Sequence, residues 1–136
     1  MEEAHINWLA LVVGVIATQV LGFIWYHPKL FGGAWQKETN LTEEKMKSKM
    51  AVNVIFSMIL MFAVAYALKY VAHGGAEFTT FKHGAYHAGM DALLIAVPII
   101  GTRCLYEQKS IQYFLVSAGY WLLSFVLIGG IISWWR

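Results

Sequence analysis

The sequence has little charge, and this shortage is the first guide to its class. Only 13% of its 136 residues are Asp, Glu, Lys or Arg, whereas 59% are hydrophobic. A soluble domain carries about 25% charged residues. The charges also occur in a few short stretches instead of being spread along the chain. The composition therefore excludes an ordinary soluble domain and indicates an integral membrane protein.

Cysteine is scarce, and so is an excess of charge of either sign. The single cysteine, Cys104, excludes a disulfide within the chain. It lies where an apolar segment ends, so we interpret it as a small apolar residue at a helix end and not as a catalytic thiol. The net charge of +2 is too small and too clustered to predict a nucleic-acid partner.

Motifs of the common enzyme and cofactor sites are missing from the sequence. It has no phosphate-binding loop, dinucleotide fingerprint, Gly-x-Ser-x-Gly or paired-cysteine motif. The best metal candidate is the row His83, His87 and Asp91, but it lacks standard ligand spacing and begins at the expected membrane edge. We therefore predict no metal site, no cofactor and no enzymatic activity.

Long apolar segments are what the sequence does contain. Each has about 20 residues, which is the length of a helix that crosses the hydrocarbon core. Backbone polar groups in hydrocarbon must be satisfied within the protein. The segments are too long and too uniformly apolar for barrel strands, so we predict helices. The predicted fold class is all-α, a single-domain integral membrane bundle (residues 1–136) of four transmembrane helices, with spans near residues 6–26, 51–71, 83–102 and 111–134.

Basic residues are distributed unequally between the two sides of this predicted bundle. The first and third connectors, residues 28–50 and 103–110, together carry seven Lys and Arg. The other side carries three, namely Lys69, Lys82 and Arg136. Because Lys and Arg favour cytoplasmic loops, we expect these two connectors in the cytoplasm and both termini outside.

The first connector predicts a segment that lies on the membrane surface. Pro28 ends the first helix, and apolar side chains then alternate with lysines. Thr42 is a good N-cap, so we expect one helix from Thr42 through Tyr70 with basic first turns. These lysines either anchor the chain by the positive-inside rule or bind anionic lipid. The residues expected at the lipid headgroups are Lys29, Trp35, Lys45, Lys47 and Lys49.

Small residues recur at every fourth position of the first span. They form a helix-packing seam of Ala10, Gly14, Thr18 and Gly22. Such a seam lets two helix backbones approach closely in lipid. Its partner is either another helix of the same chain or another subunit, and the spacing fits both. A second small face, on the third span, consists of Ala85, Ala88, Gly89, Ala92 and Ala96.

One carboxylate, Asp91, lies inside a predicted span. His87 precedes it by one helical turn, so the two side chains can meet. We expect this pair to face inward together with Pro98 and Thr102, and we expect Pro98 to kink the helix. Intramembrane ionisable residues mark ion or proton pathways, although a structural hydrogen bond is the alternative. The expected bonding partners are Asn53, Ser57, Tyr66, Ser117, Tyr120 and Ser124.

The stretch INWLALVVGVIATQVLGFIWYHPKLFGGAWQK carries a recognisable pattern. It contains Asn7-Trp8, Gly22, then Trp25-Tyr26-x-Pro28-x-Leu30-Phe31-Gly32, and Trp35. This pattern resembles the small bacterial membrane proteins of domain-of-unknown-function family 1761. The resemblance implies a multi-pass protein of the bacterial inner (plasma) membrane and supplies no catalytic residues. Small multidrug transporters differ, because their membrane acid lies in the first helix, and this first helix has none.

Two functions follow from these observations. The first is a non-enzymatic membrane protein that acts by helix–helix association, either as a homo-oligomer or as an accessory subunit of a larger complex in the lipid bilayer. The second is a small proton-linked channel or transporter that uses the Asp91/His87 pair.

Overall fold

The computed structural model describes residues 6–135 and confirms the predicted fold class. Four helical stretches are long and apolar enough to cross a membrane. They are Trp8–Trp25, Met50–Val71, Phe81–Tyr106 and Ile111–Trp134. The third span runs on to Tyr106, beyond its predicted end at residue 102. Residues 6–135 contain no β-strand. Arg136, which was counted with the basic residues of its side, lies outside the described residues.

The described residues form seven α-helices, joined by short irregular helical turns. The helices are α1 (Trp8–Trp25), α2 (Gly32–Thr39), α3 (Glu43–Ser48), α4 (Met50–Ala67), α5 (Phe81–Asp91), α6 (Val97–Tyr106) and α7 (Ile111–Trp134). A 3₁₀ turn, Leu68–Val71, completes the second span, and another, Ala76–Phe78, precedes α5. A π-helical segment, Ala92–Ala96, joins α5 to α6. We call the end where α1 begins and α7 ends the termini side, and the opposite end the lysine-rich side.

The antiparallel helices α1 and α7 form the central pair of the bundle. Side chains bond backbone carbonyls of the opposite helix, or of the residue that ends it, at three levels along this pair. The bonds run from Asn7 Nδ2 to the Trp135 oxygen (3.0 Å), from Tyr120 Oη to the Thr18 oxygen (3.2 Å) and from Trp25 Nε1 to the Val116 oxygen (2.9 Å). In hydrocarbon a polar side chain must find such a partner, so these bonds fix the register of the two helices.

The small-residue seam of α1 packs against α7 of the same chain. Ala10, Gly14 and Thr18 are buried. A Cβ added at Gly14 would lie 3.5 Å from the Ile128 Cα, and one added at Gly22 would lie 3.5 Å from the Tyr120 ring. Of the two partners that the spacing allowed, the helix within the chain occupies the seam.

The flanking spans pack onto this central pair. In the second span, α4 packs against α1, and the 3₁₀ turn that follows it packs against α7. In the third span, both α5 and α6 pack against α7. The buried core where these elements meet consists of Leu11, Val15, Met61, Ala65, Leu68, Val71, Ala88, Ile128 and Ile132.

The closest approach in the bundle is between α5 and α7. A Cβ added at Gly84 would lie 1.9 Å from the Gly129 carbonyl oxygen. One added at Gly129 would lie 2.3 Å from the Ala88 Cβ. Ala88 and its neighbours Gly89 and Ala92 are buried, as the predicted small face of this span requires. The sequence reasoning missed Gly84, because it lies one residue before that face was taken to begin.

The first connector differs in part from its prediction. Thr42 caps α3 as predicted, because its Oγ1 accepts from the Lys45 N–H at 3.2 Å. The single helix expected from Thr42 through Tyr70 is wrong, since the chain leaves helical geometry at Lys49 (φ −115°, ψ 11°). None of the residues of α3 is buried, so no packing holds this charged helix in line with the apolar α4.

Replacing Gly84 by Ala should destabilise the chain because the new methyl group would overlap the backbone of α7. Overpacking of this kind costs about 1–3 kcal/mol. Thermal unfolding in detergent, followed by tryptophan fluorescence, measures the effect. Gly33→Ala is the matched control, because its Cβ would meet only the Pro28 oxygen, at 3.7 Å. Equal midpoints for Gly84→Ala and wild type would contradict the close contact.

Candidate functional site

Within the spans that the structure describes, Asp91 is the only carboxylate, and Tyr70 binds it. The Tyr70 hydroxyl donates a hydrogen bond to Asp91 Oδ2. Tyr70 lies in the 3₁₀ turn that ends the second span, whereas Asp91 is the last residue of α5 in the third. This bond therefore joins two spans through an ionisable group.

Tyr70 is the residue that sequence reasoning missed. The partners predicted for Asp91 were Asn53, Ser57, Tyr66, Ser117, Tyr120 and Ser124. Ser57 instead donates to Gln19 Oε1 at 3.1 Å, and the Tyr66 ring stacks on Trp8 with centroids 6.1 Å apart. The position of each residue along its span could have indicated this bond, since Tyr70 and Asp91 both lie toward the termini side of their spans.

Three histidines continue this site toward the termini side. His87, one turn before Asp91, has its ring centroid 4.6 Å from that of His83. The rings of His83 and His73 are 6.0 Å apart, and those of His73 and Tyr70 are 6.3 Å apart. We call these four residues, together with Asp91, the His–Tyr–Asp cluster.

The loop that carries His73 is held over this cluster by hydrogen bonds. Ser133 Oγ, at the end of α7, donates to the Phe78 carbonyl at 3.0 Å. Thr80 Oγ1 caps α5 by accepting from the His83 N–H at 3.1 Å. The Phe78 ring lies 5.0 Å from the His83 ring. Gly74 has φ +89°, a conformation that side chains disfavour, and this lets the loop turn back.

A π-helical segment follows Asp91 directly. Across this segment the Val97 N–H bonds the Ala92 carbonyl, five residues earlier. Such segments are rare and occur often at functional sites. Pro98 follows in the first turn of α6 and has no N–H for the carbonyl of Leu94, four residues earlier. The π-helical segment contains Leu94, so the helical irregularity lies in the turn that Pro98 disturbs.

The expected inward direction of Pro98 and Thr102 is wrong. Both residues are exposed, and Thr102 Oγ1 bonds the Pro98 carbonyl at 2.9 Å. The prediction assumed one continuous helix of 3.6 residues per turn. A π turn takes up an additional residue, so later positions rotate around the axis relative to Asp91. His87 and Asp91 themselves are half-buried.

The cluster combines groups that exchange protons, and it does not form a metal-binding arrangement. Within residues 6–135, no group of three or more His, Cys, Asp or Glu is placed to hold a metal ion. This includes the row of His83, His87 and Asp91. Imidazole, phenol and carboxyl groups each bind and release protons. The arrangement is therefore suited to holding or passing a proton.

The residues expected at the headgroups all lie toward the lysine-rich side. Lys29, Lys45, Lys47 and Lys49 are exposed. Trp35 is half-buried, with its ring 5.5 Å from that of Tyr26. Burial raises the pKa of the Tyr26 phenol above its ordinary value, so this group stays neutral. The structure keeps these residues away from Asp91.

The sequence pattern in residues 7–35 that resembles the family has a structural basis. Asn7 and Trp25 supply two of the three bonds between α1 and α7. The Phe31 ring packs on Trp25 with centroids 4.4 Å apart. A Cβ added at Gly32 would lie 1.9 Å from the Tyr26 oxygen, so the turn after α1 requires glycine. These residues build the fold and not the His–Tyr–Asp cluster.

A known family profile matches most of the chain. The sequence profile of the family described as "Protein of unknown function (DUF1761)" matches residues 9–133. The chain belongs to this family. The match reaches far beyond the first 45 or so residues that carried the resemblance and includes His73, His83, His87 and Asp91. Searches of curated proteins and of solved structures gave no significant match. The roles of residues in this DUF1761 protein are therefore argued from its own geometry.

The bond between Tyr70 and Asp91 should appear as a coupling in a double-mutant cycle. Tyr70→Phe and Asp91→Leu should each change stability, and the double variant should differ from their sum by about 1 kcal/mol or more. Denaturant unfolding in mixed micelles measures the four free energies. The control cycle pairs Tyr70→Phe with Glu107→Gln, whose side chain bonds Arg103 instead. Additive effects in the first cycle would contradict the bond.

Proposed function

We propose that this multi-pass membrane protein is a small proton-linked transporter or channel and has no catalytic activity. The observation that carries the proposal is the Tyr70–Asp91 hydrogen bond between two spans. A carboxyl group within a span is costly to insert, and such groups commonly mark ion or proton pathways. Asp91 is the proposed site of proton binding.

The histidines provide a route between Asp91 and the termini side. His87 lies one turn from Asp91, and its ring is 4.6 Å from that of His83. His73 then lies 6.0 Å from His83, in the loop at the bundle's end. Histidine changes charge near neutral pH, so a row of histidines suits stepwise proton transfer. With the lysine-rich connectors in the cytoplasm, this route leads outward.

The electrostatic surroundings favour a site controlled by these few groups. The second span presents Tyr70 to Asp91, and α5 presents His87. The helix α7, which packs against α5, contains no Asp, Glu, Lys, Arg or His. Its ionisable residues are Tyr113 and Tyr120, which lie in its lysine-rich half. No fixed cation from α7 therefore holds Asp91 in one protonation state.

A change of protonation at Asp91 would alter a contact between two spans. An ionised Asp91 accepts from Tyr70 with both oxygens available, whereas a protonated one also becomes a donor. The π-helical segment begins at the next residue, so the backbone beside Asp91 is already irregular. A ligand or proton that favours one arrangement shifts the population toward it. This gives proton binding a structural consequence.

The exposed amide of Asn53 favours self-association as a second function. The seam of α1 is occupied within the chain, so it no longer argues for another subunit. Asn53 is exposed on α4, one turn before Ser57, in the second span. Polar side chains of this kind bond across to another helix in lipid. A second copy or an accessory subunit in the same membrane, proposed to be a bacterial inner membrane, would supply that helix.

Asp91→Asn should abolish proton flux and leave the fold intact. Liposomes that contain reconstituted wild-type protein and a pH-sensitive dye should acidify when an inside-negative potential, or a lower pH outside, drives protons inward. The variant should reduce the initial rate of acidification by about tenfold or more, because an amide does not exchange protons near neutral pH. Glu107→Gln is the matched carboxylate control and should retain flux. Absence of flux in wild-type liposomes would refute the proposal.

Asn53→Leu should shift a self-associated form toward the monomer. The amide would lose its bonds to the neighbouring copy, which are worth about 0.6–2 kcal/mol per site in membranes. Light scattering of the detergent complex measures the protein mass. Gln112→Leu, which also removes an exposed amide but at the start of α7, is the control. An unchanged mass for Asn53→Leu would exclude this contact as the interface.

A further inference from the structure

The site of Asp91 opens sideways toward the bilayer. Tyr70 is 44% exposed, and Asp91 is half-buried. The positions that follow Asp91 continue as an exposed apolar surface, with Leu94 69% and Ile95 57% exposed. The cluster therefore lies at the edge of a lipid-facing surface and not inside the core.

The second and third spans separate beyond the Tyr70–Asp91 contact. Toward the lysine-rich side, α4 packs on α1, whereas α6 packs on α7. Within the described chain, α4 and α6 are not among the helices that pack closely together. Both helices have exposed apolar side chains, for example Leu60 on α4 (68% exposed) and Ile99 on α6 (63% exposed). A molecule in the bilayer can thus approach Asp91 along apolar surface.

The charge of Asp91 decides what kind of molecule suits this surface. Among residues 6–135, the ion pair that involves a lysine or arginine is Arg103–Glu107, so no lysine or arginine there neutralises Asp91. The nearby Lys69 places its Nζ 3.8 Å from the centroid of the Tyr66 ring. The complement to Asp91 must therefore bring its own positive charge.

An aromatic group adds to this complementarity. The Tyr70 hydroxyl bonds the carboxylate and Tyr70 is 44% exposed, so its ring is part of the surface that a ligand at Asp91 would meet. Aromatic faces attract cations, and they do so most strongly when the cation has lost its water. A cation without bound water is also the kind that enters a bilayer.

We infer that the surface at Asp91 binds a lipophilic organic cation, which enters from the bilayer between the second and third spans. This inference rests on the proposed function and names the class of its substrate. Cation and proton compete for one carboxylate, so binding of the first releases the second. The groups around it that titrate are Tyr70, His73, His83 and His87, and protonated histidines repel the cation. Binding therefore weakens as the pH falls.

Tetraphenylphosphonium is a suitable probe, because it carries one delocalised charge on an apolar body. Equilibrium dialysis of the detergent-solubilised full chain should show saturable binding at about pH 8 that weakens by about threefold or more at about pH 5, because the neighbouring histidines then carry charge. Asp91→Asn should weaken binding by about tenfold or more at about pH 8. Asp91→Glu, which keeps the charge, should retain it, and Glu107→Gln should match wild type. Tetraphenylborate, an anion of the same shape, should show no saturable binding when it is dialysed alone.

The outcomes separate this inference from the proposed function. Wild-type protein without saturable binding, or Asp91→Asn that binds as tightly as wild type, would overturn the cation site. Asp91-dependent proton flux without probe binding would leave the proton pathway and remove this substrate class. Asp91-dependent binding without proton flux would support the cation site and refute proton coupling.

Discussion

The antiparallel contact between α1 and α7 is the interaction on which the rest of the bundle depends. Polar side chains in hydrocarbon need hydrogen-bond partners, and Asn7, Tyr120 and Trp25 find them in carbonyls across this contact. Lipid is as apolar as the side chains, so close packing and these bonds replace the hydrophobic driving force. The second span then packs on the free side of α1, and the third span packs on the free side of α7.

The His–Tyr–Asp cluster owes its geometry to that placement. Gly84 brings α5 against Gly129 of α7 and so fixes the height of Asp91. The 3₁₀ turn Leu68–Val71, which carries Tyr70, packs against the same helix. Tyr70 and Asp91 meet because α7 holds both of their backbones. A change in the packing of α7 would therefore reach the cluster without touching an ionisable group.

Sequence reasoning succeeded where a property depends on neighbours along the chain. Span length, the Thr42 cap and the seam of α1 all follow from composition and spacing within one helix. It failed where two elements had to be aligned, because the depth of Tyr70 relative to Asp91 depends on packing against α7. It also failed at Pro98 and Thr102. A helical wheel assumes 3.6 residues per turn, and the π-helical segment Ala92–Ala96 departs from that value, so the predicted directions of later residues are wrong.

Two features at Asp91 each cost stability. A carboxyl group in a span resists insertion, and a π turn departs from ideal helical bonding. Carboxyl, imidazole and phenol groups bind and release protons, which is why the proposed function assigns proton binding to this costly position.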